Sequence, residues 1–254
     1  MLAAAIALAC TAAGLVDRAG ASGPPPPVYA TGPAPRQVMT QARSFDGTPA
    51  VGTLAMLTAA GGLGTHFCSA SVIDSPAGNL VITAAHCLAG RQPGQFVFVP
   101  GYDHGRAPYG AWPVRRVITD QDWGSSSDPD DDVAFVELTR AVQGVTGAER
   151  LGAGQPSGQL VTVIGYPGNQ DSAIFCVSHS SSFSATQLVF RCGGYTSGTS
   201  GSPLLAHVAA ATGLGTVIGV IGGYQQGGVT DAISYAAVLG PDIVALYQAA
   251  IAGP

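Results

Sequence analysis

The chain has 254 residues, of which 46% are hydrophobic and only 10% charged, with a net charge of −5. That is ample material for a core and too little charge for a disordered polyelectrolyte. The negative balance excludes nucleic acid and anionic membranes as main partners, because both need clustered cations.

With 36 Gly and 18 Pro the chain must turn often, which favours many short strands over long helices. The first apolar run, Leu2 to Val16, is shorter than the roughly 20 apolar residues a bilayer span takes, so no integral membrane span is expected. Residues 1–16 instead suit a secretory signal, with Ala7-Leu8-Ala9 as a small-x-small cleavage site. No basic residue precedes the run, so either the start lies upstream or the signal is atypical. The expected location is extracellular, with lipid anchoring through Cys10 as the lesser alternative. Residues 17–45 read as a linker or pro-segment: Pro24 to Pro27 form a stiff polyproline stretch, continued by Gly32, Pro33 and Pro35.

From residue 46 onward the sequence reads as one folded region, 46–254. Candidate strands are Gly52–Leu57, His66–Ile73, Leu80–Thr83, Phe96–Val99, Val114–Thr119 and Val133–Leu138. A second group follows at Leu160–Tyr166, Ile174–Ser178, Leu188–Cys192, Pro203–Ala206, Val217–Ile221 and Ala232–Ala236. The split near Gly144–Gly158 divides them into units of about 46–143 and about 158–239. Regular short strands with turn signals between them indicate sandwiches or barrels. Gly240-Pro241-Asp242 opens a helix over 241–251, with Ile243, Leu246, Tyr247 and Ala250 on one face. If Cys10 leaves with the signal, four cysteines remain in two local couples, read as Cys68–Cys87 and Cys176–Cys192.

Three segments carry candidate chemistry. Val81-Ile82-Thr83-Ala84-Ala85-His86-Cys87 is a strand that runs out into small residues and then a histidine, which a Cys68–Cys87 bridge would restrain. Asp132 adjoins the apolar strand Val133–Leu138, where a carboxylate can be buried enough to hold a histidine tautomer. Asp128, Asp130 and Asp131 read as a solvated turn. They lack calcium-loop spacing, and neither a metal nor a cofactor is assigned. In Thr196-Ser197-Gly198-Thr199-Ser200-Gly201-Ser202-Pro203, glycines around a serine let backbone N–H groups converge beside its hydroxyl. The bland reading of that stretch is a flexible Gly/Ser loop. It is not a nucleophile elbow, because Ser202 stands where that motif needs glycine.

Taken in order, TAAHC, DVAFVEL and GTSGSP resemble the chymotrypsin-like serine peptidases. Tyr166-Pro167 and Thr199 are closer in style to the bacterial glutamyl-endopeptidase-like branch. The resemblance runs from about Val51 to the C-terminal helix, some four-fifths of the chain. It implies an all-β fold of two six-stranded antiparallel barrels with a C-terminal helix and an endopeptidase acting on polypeptides; with the signal-like segment the enzyme is expected to be secreted, and it is expected to be a monomer. It makes Ser200 the nucleophile, His86 the general base and then acid, Asp132 the orienting carboxylate, and the N–H groups of Gly198 and Ser200 the oxyanion hole. The other reading kept open is a peptidase-like protein that binds without catalysis. Thr199 stands where many animal members carry the Asp that captures a new N-terminus, so any zymogen must be released differently. The resemblance places the substrate pocket at Gly194, Val220, Ile221, Gly222 and Tyr224. Gly194 replaces the Asp of enzymes that cut after Lys or Arg. Val220 or Ile221 replaces the His of glutamate-specific relatives. Uncharged residues are therefore expected before the cut, with Tyr224 narrowing the pocket.

Overall fold

Aliphatic and aromatic runs become strands here wherever Gly, Pro or Asp punctuates them. The computed structural model describes residues 38–253. The signal-like segment, Cys10 and most of the Pro-rich stretch lie outside the described residues. The strands are β1 (Arg43–Phe45), β2 (Val51–Leu57), β3 (Leu63–Ile73), β4 (Leu80–Thr83), β5 (Phe96–Pro100), β6 (Trp112–Thr119) and β7 (Ala134–Leu138). The chain continues through β8 (Arg150–Leu151), β9 (Leu160–Gly165), β10 (Ala173–Ser182), β11 (Gln187–Arg191), β12 (Pro203–Ala206), β13 (Thr216–Val220) and β14 (Ile233–Ala237). Helices are few: α1 (Gln121–Ser126), α2 (Gln143–Thr146) and the C-terminal α3 (Pro241–Ala252).

The first unit closes into a barrel in the order β2-β3-β4-β7-β6-β5. Its central strands are continuous apolar runs because both of their faces are buried. In β4, Val81 joins the cluster containing Leu54, Phe98 and Val136, while Leu80 and Ile82 face a second cluster with Val97, Val99 and Phe135. The period-two alternation of a strand makes this split unavoidable. The second cluster continues into Ile164, Leu205 and Val217 of the other sheet and into Ile243, Leu246 and Ala250 of α3. It is therefore the joint between the two halves. Pro241 at the first turn suits the start of α3, and Tyr247 donates its hydroxyl to the Asp74 carbonyl at 2.8 Å.

The second unit runs β14-β11-β10-β9-β12-β13, the six strands expected there, extended by β8 along β13 and by β1 along β10. It departs from a fully laddered barrel. β13 and β14 meet only through the isolated bridge Ile221↔Ala236, beside a 3.0 Å hydrogen bond from Gly222 N–H to Tyr235 C=O. The ladder stops because the chain turns away at Gly223, whose φ of 72° and ψ of −131° suit glycine. Residues 41–45, which the sequence reading put at the end of the linker, also depart from it. Gln41 bridges Gly193 and β1 pairs with Ala173–Phe175, so this stretch is part of the second sheet. Both bridges anticipated from the cysteine couples are formed, Cys68–Cys87 and Cys176–Cys192. Among the described residues no helix is long and apolar enough to cross a membrane.

Candidate active site

β4 ends at fully buried Thr83, and the small Ala84 and Ala85 let a single 3-10 turn over Ala85–Leu88 pack tightly behind it. That turn presents His86, and the Cys68–Cys87 bridge ties it to β3. On the facing side, a 3-10 turn over Pro129–Asp131 is capped by Asp128, whose side chain accepts from Asp130 N–H at 3.0 Å. Asp132 follows directly and is 0% exposed. Its Oδ1 accepts from the His86 backbone N–H at 2.8 Å, and its Oδ2 faces His86 Nδ1 at 2.7 Å. Gly223 N–H also donates to Oδ2, at 2.8 Å. A buried carboxylate needs such donors to offset lost hydration. Because a carboxylate only accepts, the arrangement puts the imidazole proton on Nδ1 and leaves Nε2 with a free lone pair.

Ser200 sits on a tight turn braced from three directions. Thr199 N–H and Oγ1 both bond Thr196 C=O, at 3.1 and 2.7 Å. Ser69 of β3 donates its N–H to Ser200 C=O at 2.8 Å and its hydroxyl to Gly198 C=O at 3.1 Å. The same Ser69 hydroxyl accepts from Tyr166 N–H at 2.9 Å, so one buried side chain links the barrel to both loops of the second unit. Gly198 (φ +97°) and Gly201 (φ +83°) adopt backbone conformations that side chains resist. Among the described residues, the N–H groups of Gly198 and Ser200 donate to no protein acceptor.

His86, Gly198 and Ser200 line one cleft of about 560 Å³. Of the sequence-expected pocket residues, only Ile221 lines it. Val220 points into the joint core, because the next residue along a strand faces the other way. A side chain at Gly194 would face Gln41, Ala42 and Ile174, and one at Gly222 would meet Asp132 and Ala84. Tyr224 does not narrow the pocket. Its ring packs on Phe183 and Tyr235, at centroid distances of 4.9 and 5.1 Å. The cleft is instead lined by residues the sequence reading passed over, notably Phe67, Arg91, Tyr195 and Asp231, and by Thr196 at the head of the serine segment. The Oγ1 of Thr196 is buried and without a hydrogen-bond partner. No local motif marks these positions; only proximity to the three segments could have suggested Phe67, which precedes Cys68.

The acidic run is more structured than a solvated turn. Gln187 donates to Asp130 Oδ1 at 2.8 Å and to Pro129 C=O at 2.9 Å, tying the Asp132 turn to β11. Asp131 lies with Asp120 and Asp122; burial first, and then those carboxylates with Asp128 and Asp242, push it up to about 6. Cys68, His86 and Cys87 also cluster, but both sulfurs are spent in the disulfide.

The comparisons with known proteins agree with this geometry. The family model described as Trypsin matches residues 44–239. A comparison with curated protein sequences finds no significant match. Among solved structures, the protease Anisep from Arthrobacter nicotinovorans superposes with a TM-score of 0.69 at 23% identity, covering 84% of this chain and 100% of that one. A thermostable serine protease, AL20, from an extremophilic microorganism gives 0.68 at 26%, over 82% and 99%. A Glu endopeptidase gives 0.65 at 17%, over 85% and 100%. With the match spanning both strand units and the cleft between them, the chain belongs to the trypsin family and is a serine endopeptidase of chymotrypsin-like fold.

Proposed function

We propose that this chain is an exported endopeptidase that works through an acyl-enzyme, with Ser200 as nucleophile, His86 as base and then acid, and Asp132 as the orienting carboxylate. One observation carries the reading. The fully buried Asp132 receives both the backbone N–H and the Nδ1 of His86, whose ring shares a cleft with Ser200. A serine hydroxyl attacks a carbonyl only when a base removes its proton, and Nε2 is the lone pair left for that task. The imidazolium formed would be stabilised by Asp132, then give its proton to the leaving amine. The unspent N–H groups of Gly198 and Ser200 supply donors for the oxyanion. Water then repeats the attack on the ester with His86 again as base.

An uncharged residue before the cut is supported by Ile221 in the cleft and Gly194 outside it, which leave no buried charge on the second-unit side to pair Glu, Lys or Arg. Asp231 lines the cleft but is exposed, which makes it a rim charge. Residues 1–16 would serve as the export signal, and the peptidase domain, acting as a monomer, would begin by Gln41, whose stretch already pairs with the second sheet. The two disulfides fit an oxidising compartment. The deciding experiment is labelling by a fluorophosphonate probe: the wild-type chain should react and Ser200→Ala should not. Equal labelling of both, or none of either, would sink the mechanism. Peptide-library profiling checks the preference, and dominant cleavage after Arg, Lys or Glu would overturn it. Mass spectrometry of the mature N-terminus in culture medium checks export.

A further inference from the structure

One charge in the cleft is left over by this account. Arg91 follows the turn that carries His86, and its guanidinium lies 4.1 Å from the centroid of the Phe67 ring. One of its N–H groups goes to Cys87 C=O at 2.8 Å. Phe67 adjoins Cys68, which is bonded to Cys87, so the whole corner is cross-linked and the cation is held in place. Among the described residues Arg91, like Arg43, Arg140, Arg150 and Arg191, has no carboxylate within ion-pair distance, but Arg91 alone of these lines the cleft. A half-buried guanidinium held in place with most of its donors unspent offers a fixed, oriented N–H edge to an anionic group in the cleft.

The lining of the cleft says which part of a substrate meets it. Tyr195, Thr196, Ile221 and Asp231 belong to the second unit, whereas Phe67, Cys68, Cys87 and Arg91 all come from the first barrel. Of the reacting pair, His86 comes from the barrel and Ser200 from the second unit. If the acyl part of the substrate fills the second-unit side, the leaving part must pass over the barrel corner. We propose that Arg91 is a specificity-determining residue on the leaving-group side and selects a carboxylate there. The inference rests on the peptidase reading above. Stacking on Phe67 occupies one face of the guanidinium and leaves its N–H edge for a carboxylate. Asp231, on the acyl side, disfavours the same charge there, so the two residues together set the direction of an acidic substrate. The carboxylate is either an acidic side chain beyond the scissile bond or the terminal carboxylate of a short leaving peptide.

The test measures kcat/KM on matched internally quenched peptides that carry Glu, Gln or Lys at one leaving-side position, each as the free acid and the amide. At low salt the wild-type enzyme should prefer Glu to Gln by about two- to fivefold at one such position, the range of a partly exposed charge pair, and the ratio should shrink as salt rises. In Arg91→Gln the ratio should fall to about one, and in Arg91→Glu it should turn towards Lys. Ratios are taken within each variant, so a general loss of activity cancels. A preference only for the free acid over the amide, lost in Arg91→Gln, identifies the terminal carboxylate as the source. Equal rates for all peptides with the wild type, or an acid preference that survives Arg91→Gln, would overturn the inference while leaving the peptidase reading intact. No cleavage of any peptide and no fluorophosphonate labelling would remove both.

Discussion

At the scale of single residues, Asp132 has the least freedom. Its three donors come from two positions on opposite sides, His86 and Gly223, so replacing one oxygen by an amide nitrogen sets donor against donor. Asp132→Asn should keep the fold, since the side chain's shape is unchanged, yet lower kcat by about 10³–10⁴ through the wrong tautomer of His86. A circular dichroism spectrum like that of wild type beside unchanged kcat would refute this. Gly201 is a different kind of constraint. A Cβ there would stand 2.1 Å from Ser69 C=O and 2.2 Å from Thr83 Oγ1, at a φ of +83°. Both obstacles belong to the barrel, and the carbonyl cannot move aside. Gly201→Ala should therefore destabilise the protein by about 2–4 kcal/mol, in the range of severe core lesions, and denaturant titration measures it.

At the scale of elements, the two disulfides close loops of similar size, with sequence separations of 19 and 16. Chain entropy alone predicts nearly equal stabilisation, about 3 kcal/mol each. Their effects on activity should differ. Cys68→Ala/Cys87→Ala frees the turn that presents His86 and loosens the corner under Arg91, so kcat/KM should fall well below the value for Cys176→Ala/Cys192→Ala at a temperature where both stay folded. Equal activities of the two double variants would show that the first bridge positions nothing. Element length also explains what the sequence concealed. β4, β5 and β7 are mostly apolar runs and are legible in the sequence. β1 has three residues, exposed or half-buried, and β8 has two. Segments so short carry no periodicity, and they become strands because β10 and β13 offer them unpaired edges.

At the scale of the whole molecule, the halves are joined by a segment that pairs with both. Glu149 bridges Ile73 of the barrel through its backbone, and its side chain accepts from Gly215 N–H just before β13. Its second oxygen is buried without a partner. Burial pushes the carboxyl up to about 7, against a usual 4.5, with the Gly215 hydrogen bond opposing weakly. Between those values the folded chain keeps a proton that the unfolded chain releases, so stability should fall as pH rises through that window and level off above it. The slope is about 1.4 kcal/mol per pH unit, giving a loss of about 3 kcal/mol. Glu149→Gln should flatten the dependence, and urea midpoints between pH 4.5 and 8 would show an unchanged slope if this is wrong. Ser69 joins the halves at the other end. Ser69→Ala strands Tyr166 N–H and Gly198 C=O in a buried site and should cost about 1–3 kcal/mol. If Ser69 also positions the Gly198 turn, kcat should fall while KM changes little.

The order of the three motifs, through their resemblance to the chymotrypsin-like peptidases, pointed to the fold class and nominated His86, Asp132 and Ser200, and the two local cysteine couples pointed to the pairing that is formed. Each of these is written in residue types whose chemistry or periodicity is local. The tertiary structure decided what depends on partners distant in the chain. Gly223 N–H reaches Asp132 across 91 residues, and no local pattern encodes that meeting. Of Val220 and Ile221, both buried, only Ile221 also lines the cleft, because adjacent residues along a strand face opposite ways and Val220 packs into the joint core. Tyr224 left the pocket for an aromatic cluster, since Phe183 and Tyr235 offer its ring more contact than the open cleft does. Arg91 became visible only when folding laid Phe67 beneath it. A side chain's type comes from the sequence, but its direction is set by neighbours that only long-range packing brings together.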